Sequence, residues 1–161
     1  MANYTVQDIA ELREVTGMGL MDVKKALEES DGNKAKALEL LKERGAHIMA
    51  KKADRHAAEG MIESYVHGGK IGVLVEVNCE TDFVARSETF REFAHDLALQ
   101  IASMAPASLE ELLEQSFIKD SKLTIGQYLA DVTGKLGEKI VVSRFHRLVL
   151  GELAGEKPAE N

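Results

Sequence analysis

Residues 76–86 read EVNCETDFVAR and lie where the chain is predicted to change from strand to helix. Residues 70–77, which lead into this stretch and overlap its first two positions, form the most apolar alternating run in the protein. This pattern favours a strand. Ser87 is a favourable helix N-cap and is followed by a helical pattern. Phe83 therefore brings a bulky ring to a surface corner, where it is either tucked under the following helix or presented to a partner.

Composition limits the classes of protein to which the chain can belong. It has 161 residues, 45% of them hydrophobic, which suffices for one medium domain or two small ones. A formal charge of -7 argues against direct nucleic-acid binding, which needs a basic surface. Cys79 is the only cysteine, so no intrachain disulfide can form. We expect a cytoplasmic protein, since neither an apolar leader nor a run long enough to span a membrane is present.

Three short helical patterns occupy residues 1–45 and are separated by glycine turns. The first begins after Thr5 and ends at Gly17, and the third follows Asn33 and ends at Gly45. The positions predicted to face inward are Val6, Ile9, Leu12, Val15, Val23, Ala26, Leu27, Ala37, Leu38 and Leu41. These features predict a three-helix bundle that is marginally stable alone.

Residues 46–59 lie in the most basic part of an acidic chain and carry several alanines. This composition predicts a partly helical linker between two domains. Its positive charges either form a solvated surface or contact ribosomal RNA or an acidic partner.

Residues 60–152 predict a second domain, of the α+β class. Gly68-Gly69 between two alternating runs is typical of a hairpin turn, and residues 140–150 form a third apolar run. Ser87, Ser108 and Thr124 each precede a helical pattern as N-caps. We therefore predict an antiparallel three-stranded sheet covered by helices on one face, followed by a flexible tail over residues 153–161.

The other face of that sheet is predicted to carry apolar residues, including Leu74. A monomer would expose this surface to water, so something is expected to cover it. A second copy of the same sheet is the simplest candidate.

Catalytic and metal sites are poorly supported. Cys79 with His67 or His95 could be a nucleophile and its base, but no third orienting residue is evident, so a buried thiol is favoured. Candidate metal ligands lack spacing such as H-E-x-x-H: Glu92, His95, Asp96 and His146. Neither GxxxxGK[ST] nor GxGxxG occurs, so we expect no bound nucleotide, cofactor or enzymatic activity.

Two longer strings resemble one known family. Residues 12–45, LREVTGMGLMDVKKALEESDGNKAKALELLKERG, are similar to the N-terminal signature of bacterial elongation factor Ts. Residues 72–86, GVLVEVNCETDFVAR, resemble its second signature, and residues 134–145, GKLGEKIVVSRF, resemble the run that starts its following strand. Leu20 and Val23 depart from the commonest residues at their positions but remain apolar.

The resemblance implies a guanine-nucleotide exchange factor for the GTPase elongation factor Tu. In that family the TDFV corner docks on the nucleotide domain and disturbs the Mg²⁺ site, which implies partner contact by Thr81, Asp82, Phe83 and Val84. The bundle grips another helix of that domain, which implies contact by Arg13, Leu20, Met21 and Lys24. Longer members carry two tandem copies of the α+β unit, so a homodimer through the sheet is predicted for this chain, which has room for one.

The bundle also resembles ubiquitin-associated domains, with Met18-Gly19-Leu20 as the connecting loop. Ubiquitin binders usually carry an aromatic residue at the third loop position, where this chain has Leu20. An adaptor module is therefore the alternative function. It would account for residues 1–45 and leave the TDFV corner without a role.

Overall fold

The computed structural model describes residues 3–51 and 53–152, so Lys52 and the predicted flexible tail at 153–161 lie outside the described residues. The helices are α1 Val6–Thr16, α2 Leu20–Glu29, α3 Lys34–Lys51, α4 Asp82–Ala85, α5 Glu88–Met104, α6 Leu109–Glu114 and α7 Ile125–Leu136. The strands are β1 Glu59–His67, β2 Ile71–Cys79, β3 Ser116–Phe117, β4 Asp120–Thr124 and β5 Val141–Val149. The predicted α+β class is confirmed.

Helices α1, α2 and α3 form the predicted bundle. The Thr5 hydroxyl accepts the backbone N–H of Asp8 at 3.2 Å, and the Asp8 carboxylate accepts the backbone N–H of Thr5 at 2.7 Å. Gly17 ends α1 with a φ of 63°, as its position predicted. The core of the bundle is built from Leu12, Met18, Val23, Ala26, Leu27, Ala37 and Leu41.

Two of the predicted inward-facing residues are exposed. Val6 is 83% exposed and Val15 64% exposed. The buried stripe of α1 is centred between Ile9 and Leu12, and at about 100° per residue both valines lie about 90° from that direction. The predicted inward face of α1 was therefore too wide, because α1 packs on the rest of the bundle along a narrow stripe only.

The predicted end of α3 at Gly45 is wrong, since the helix continues to Lys51. Gly45 instead packs against α7, where a Cβ added to it would lie in ordinary contact, 3.7 Å from the carbonyl oxygen of Ala130. Ala46 of α3 and Ala130 of α7 line the same cavity. Tertiary contact thus extends the helix through a residue that would favour an end in isolation. The division of the chain into domains at residue 45 stays a prediction.

The main sheet is antiparallel with the order β1-β2-β5. Gly68 and Gly69 form the tight turn between β1 and β2, with φ values of 56° and 68° that suit glycine. One face of the sheet packs against α5. The shared core includes Val73, Val75, Val77, Phe90, Phe93, Leu97 and Ile101.

A small hairpin, β3 with β4, was not predicted. The amide of the fully buried Gln100 joins α5 to it, donating to the Ser116 carbonyl at 3.0 Å and accepting from the Ile118 backbone at 2.9 Å. Strands of two and five residues are too short to give a clear period in the sequence.

Candidate functional site

The corner predicted from residues 76–86 is built by a strand end and one turn of helix. Strand β2 ends at Cys79, and Thr81 caps the four-residue helix α4, which the sequence did not predict. The Thr81 hydroxyl accepts the backbone N–H of Val84 at 3.3 Å. Ser87 then caps α5, as predicted, by accepting from the Phe90 backbone. Two caps in seven residues turn the chain sharply at the surface.

The loop after α7 holds this corner. One carboxylate oxygen of Glu138 accepts the backbone N–H groups of Glu80 at 3.1 Å and Thr81 at 3.0 Å. The other accepts the Thr81 hydroxyl hydrogen at 2.7 Å. In return the Glu80 carboxylate accepts the backbone N–H of Lys139 at 2.7 Å. Hydrogen bonds to a charged acceptor are stronger than neutral ones. The corner and the loop after α7 each supply a carboxylate that accepts such bonds from the other segment.

The predicted corner residues point in different directions. Phe83 is 83% exposed, which excludes the alternative that its ring is tucked under the following helix. Asp82 is exposed beside it and pairs with Arg86 at 3.0 Å, a surface ion pair of small energetic value. Val84 is 7% exposed and belongs to the main core. The corner thus displays Asp82 and Phe83, while Thr81 and Val84 attach it to the fold.

Cys79 has the properties of a structural thiol. It is fully buried, and its Sγ donates to the Thr81 carbonyl at 3.1 Å. Burial raises the pKa of Cys79 to about 11, and the nearby Glu138 carboxylate adds to the shift. The thiol therefore stays protonated at neutral pH and is unsuited to nucleophilic attack.

The histidines considered for catalysis or metal binding have other partners. His67 lies 3.0 Å from the Tyr65 hydroxyl, and His95 lies 3.2 Å from the Glu63 carboxylate. The buried Asp96 accepts from Lys119 and from the Tyr128 hydroxyl. Across residues 3–51 and 53–152, no group of three His, Cys, Asp or Glu side chains is placed to hold a metal ion.

The bundle residues singled out from the sequence lie on its surface. Leu20 and Met21 begin α2 and are 49% and 65% exposed, while Lys24 follows one turn later and Arg13 lies in the last turn of α1. These four residues belong to helices that pack around the bundle core. The corner instead packs on the main core, through Val84. The two predicted contact surfaces therefore belong to separate hydrophobic cores.

The outer face of the sheet is a second exposed surface. Val66, Gly72 and Leu148 form one row across the three strands, and Leu74 lies in the next row opposite His146. The exposed fractions of Val66, Leu74 and Leu148 are 66%, 51% and 74%. A Cβ added to Gly72 would meet no atom within 4 Å, so this row has a gap at its centre. We call this surface the outer sheet face.

No helix in the described part of the chain is long and apolar enough to cross a membrane.

Comparison with known proteins gives a consistent result. A family model described as Elongation factor TS matches residues 80–155. The Elongation factor Ts of Alkaliphilus oremlandii is 41% identical over 204 aligned positions, covering 99% of this chain and 94% of that protein. That of Desulforamulus reducens is 43% identical, covering 94% and 91%, and that of an Anaeromyxobacter species is 42% identical, covering 100% and 94%.

The residue that sequence reasoning missed at this site is Glu138. It lies within the quoted run 134–145, but that run was assigned no role beyond starting a strand. The only sequence feature that could have pointed to Glu138 is its carboxylate directly after the glycine that ends α7. What the site offers chemically is a rigidly held acidic and aromatic surface, suited to contact with another macromolecule.

Proposed function

Because the chain belongs to the elongation factor Ts family, we propose that it acts as a guanine-nucleotide exchange factor for elongation factor Tu during protein synthesis in the cytoplasm. It performs no covalent chemistry in this role. Its net charge of -7 suits contact with a protein partner better than direct binding to nucleic acid.

The physical basis of exchange is thermodynamic linkage. A protein that binds the nucleotide-free GTPase better than the GDP-bound form must weaken GDP binding by the same factor. Each tenfold weakening needs about 1.4 kcal/mol of differential contact. The exchange factor therefore needs contacts that exist only when GDP or its Mg²⁺ is displaced.

We assign those contacts to the corner. Phe83 is the apolar insert, and burying a side chain of this size contributes roughly 1.5–3 kcal/mol. This corresponds to about 10- to 150-fold in GDP affinity if all of it is differential. Asp82 supplies the polar contact, while Thr81 and Val84 anchor the insert. The observation that carries this proposal is the exposed Phe83 ring on a corner held by hydrogen bonds.

The Mg²⁺ ion of the GTPase is the proposed target of this corner. Magnesium requires nearly ideal octahedral geometry and takes few ligands from the protein, so a small displacement of one ligand weakens its binding. Loss of the ion removes its charge from between the nucleotide phosphates and the protein. GDP then dissociates more readily.

The bundle provides a second proposed contact. Leu20 and Met21 present apolar surface, and Arg13 and Lys24 are exposed, positively charged residues of the same bundle. Contact at a second surface raises affinity for the GTPase and orients the corner.

Release of a fluorescent GDP analogue from elongation factor Tu tests the proposal. Phe83→Ala and Asp82→Ala should slow release relative to wild type while circular dichroism remains unchanged. Ile118→Ala is the matched control, since Ile118 is also exposed but lies on the small hairpin. Full activity in both corner variants would contradict the assignment.

The ubiquitin-associated alternative is not favoured, because the relatives match along nearly the whole chain rather than over the bundle alone. Capture by immobilised elongation factor Tu but not by ubiquitin is the expected discrimination.

We also propose that two copies of the chain pair through the outer sheet face. Its apolar side chains would be removed from water, and the gap at Gly72 gives room for a partner side chain between Val66 and Leu148. A self-complementary surface on a twofold axis is the usual arrangement in such dimers.

A further inference from the structure

The C-terminal end of α7 contacts both the corner and the loop that precedes α2. We call residues 134–139 the α7 bracket. On one side of it, a Cβ added to Gly17 would lie 2.2 Å from Cγ of Lys135, and one added to Gly134 would lie 3.1 Å from Sδ of Met18. The bracket therefore packs closely on the loop that leads into Leu20 and Met21.

On its other side the bracket holds the corner through Glu138 and Lys139. The pairing of β2 with β5 explains this placement. Asn78 is opposite Val141, and the same antiparallel register continued by three residues sets Thr81 opposite Glu138. The strands have ended there, so the Glu138 side chain replaces backbone pairing by accepting from the Glu80 and Thr81 backbone groups.

The exposed position of Phe83 makes this support important. Its ring is 83% exposed, so its direction depends on α4 and on the cap at Thr81. A helix of four residues is not stable by itself. Holding the cap residue at its backbone N–H and at its hydroxyl therefore fixes the start of α4, from which Phe83 projects.

We propose that Glu138 is a positioning residue for nucleotide exchange: through Thr81 it fixes the direction of Phe83, and the α7 bracket fixes that corner relative to the bundle. This inference rests on the proposed exchange function. Glu138 itself touches neither the nucleotide nor the GTPase in this scheme.

The test measures exchange on elongation factor Tu with the full chain carrying Glu138→Ala, Glu138→Gln or Phe83→Ala. Glu138→Ala should slow release about 10- to 100-fold at limiting factor concentration, the scale associated with a misplacement of about 1 Å. Glu138→Gln should have a smaller effect, because its amide oxygen still accepts the two backbone N–H groups, though more weakly than a carboxylate. Hydrogen exchange should show reduced protection of the Glu80 and Thr81 amides in Glu138→Ala.

A double variant separates positioning from general stability. If Glu138 acts through Phe83, adding Glu138→Ala to Phe83→Ala should change the rate by no more than about twofold. Glu111→Ala is the matched control, because the Glu111 carboxylate also accepts a backbone N–H, that of Ala107, far from the corner in sequence. This control should leave exchange unchanged.

The outcomes distinguish the two proposals. Normal exchange by Phe83→Ala would overturn the proposed function of the corner. Slow exchange by Phe83→Ala with normal exchange by Glu138→Ala would overturn the positioning role alone. The positioning role would also be overturned if Glu138→Ala slowed exchange by the same factor in the wild-type protein and in the Phe83→Ala variant. If Glu138→Ala does not fold, Glu138→Gln in both backgrounds gives the same comparison.

Discussion

Thr81 donates its hydroxyl hydrogen to the Glu138 carboxylate across 2.7 Å, although 57 positions separate the two residues in the chain. The same hydroxyl oxygen accepts the backbone N–H of Val84 and so caps α4. One side chain therefore joins the loop after α7 to the helix that presents Phe83.

Thr81→Val should weaken both the fold and nucleotide exchange. Valine keeps the shape and the preference for an extended backbone but removes the hydroxyl. Loss of an N-cap and of a hydrogen bond to a carboxylate should lower the free energy of unfolding by about 1–2 kcal/mol. Urea denaturation measures this loss, and release of the fluorescent GDP analogue measures the effect on exchange.

Thr124→Val is the control for that variant, because Thr124 caps α7 in the same way through Gln127. It should lower the free energy of unfolding by less, about 1 kcal/mol, because only the cap is lost, and it should leave exchange unchanged. Equal exchange by the two variants would contradict a special role for Thr81.

Short-range chemistry explains which parts of this fold could be predicted. The caps at Thr5, Ser87 and Thr124 and the turn at Gly68-Gly69 each depend on residues within four positions, so the sequence pattern contained them. The alternation in residues 71–77 likewise predicted which side chains of β2 face the core.

Long-range contacts explain the remainder. Helix α3 passes Gly45 because α7 packs against it, and Glu138 braces the corner because β2 and β5 pair. Neither partner is near in sequence, so no local pattern could identify either contact. The exposure of Phe83 was only partly predictable. The local sequence allowed its ring to be either tucked under the following helix or presented at the surface.

The thiol of Cys79 should react slowly with a disulfide reagent in the folded protein. Its pKa is raised from 9.0 to about 11, chiefly by burial, so its thiolate fraction at pH 8 is about 100-fold below that of an unperturbed thiol. Reaction should become fast in urea. A cysteine introduced at the exposed Ser103, which changes only one side-chain atom, serves as an internal control and should react at once. Equal native rates for the two thiols would contradict this assignment.

Asp8 should make the bundle sensitive to acid. Its pKa is lowered from 3.8 to about 2, first by the Thr5 hydroxyl, then by the Thr5 backbone N–H and Lys34. Because the folded pKa lies below the ordinary value, the stabilisation is fully present above about pH 4 and is lost as the pH falls towards 2. NMR titration of the Asp8 carboxyl measures the pKa directly.

Asp8→Asn should remove the contribution of the Asp8 carboxyl to the pH dependence of the free energy of unfolding. The variant should be less stable than wild type at pH 7 and should approach it at pH 2, as followed by urea denaturation across the range. Glu39→Gln, at an exposed position of α3, is the control and should retain the wild-type slope. An unchanged slope in Asp8→Asn would refute the assignment.

Leu148→Glu should convert the proposed dimer into a monomer. Leu148 is 74% exposed at the end of the row that contains Val66 and Gly72, so the change costs a single chain little stability. In a dimer it would bury a carboxylate in an apolar interface, which is strongly unfavourable. Light scattering at micromolar concentration should give a dimer for wild type and for Ile118→Glu, an equivalent change outside the outer sheet face. A monomeric wild type, or a dimer that survives Leu148→Glu, would show that this face does not join two copies.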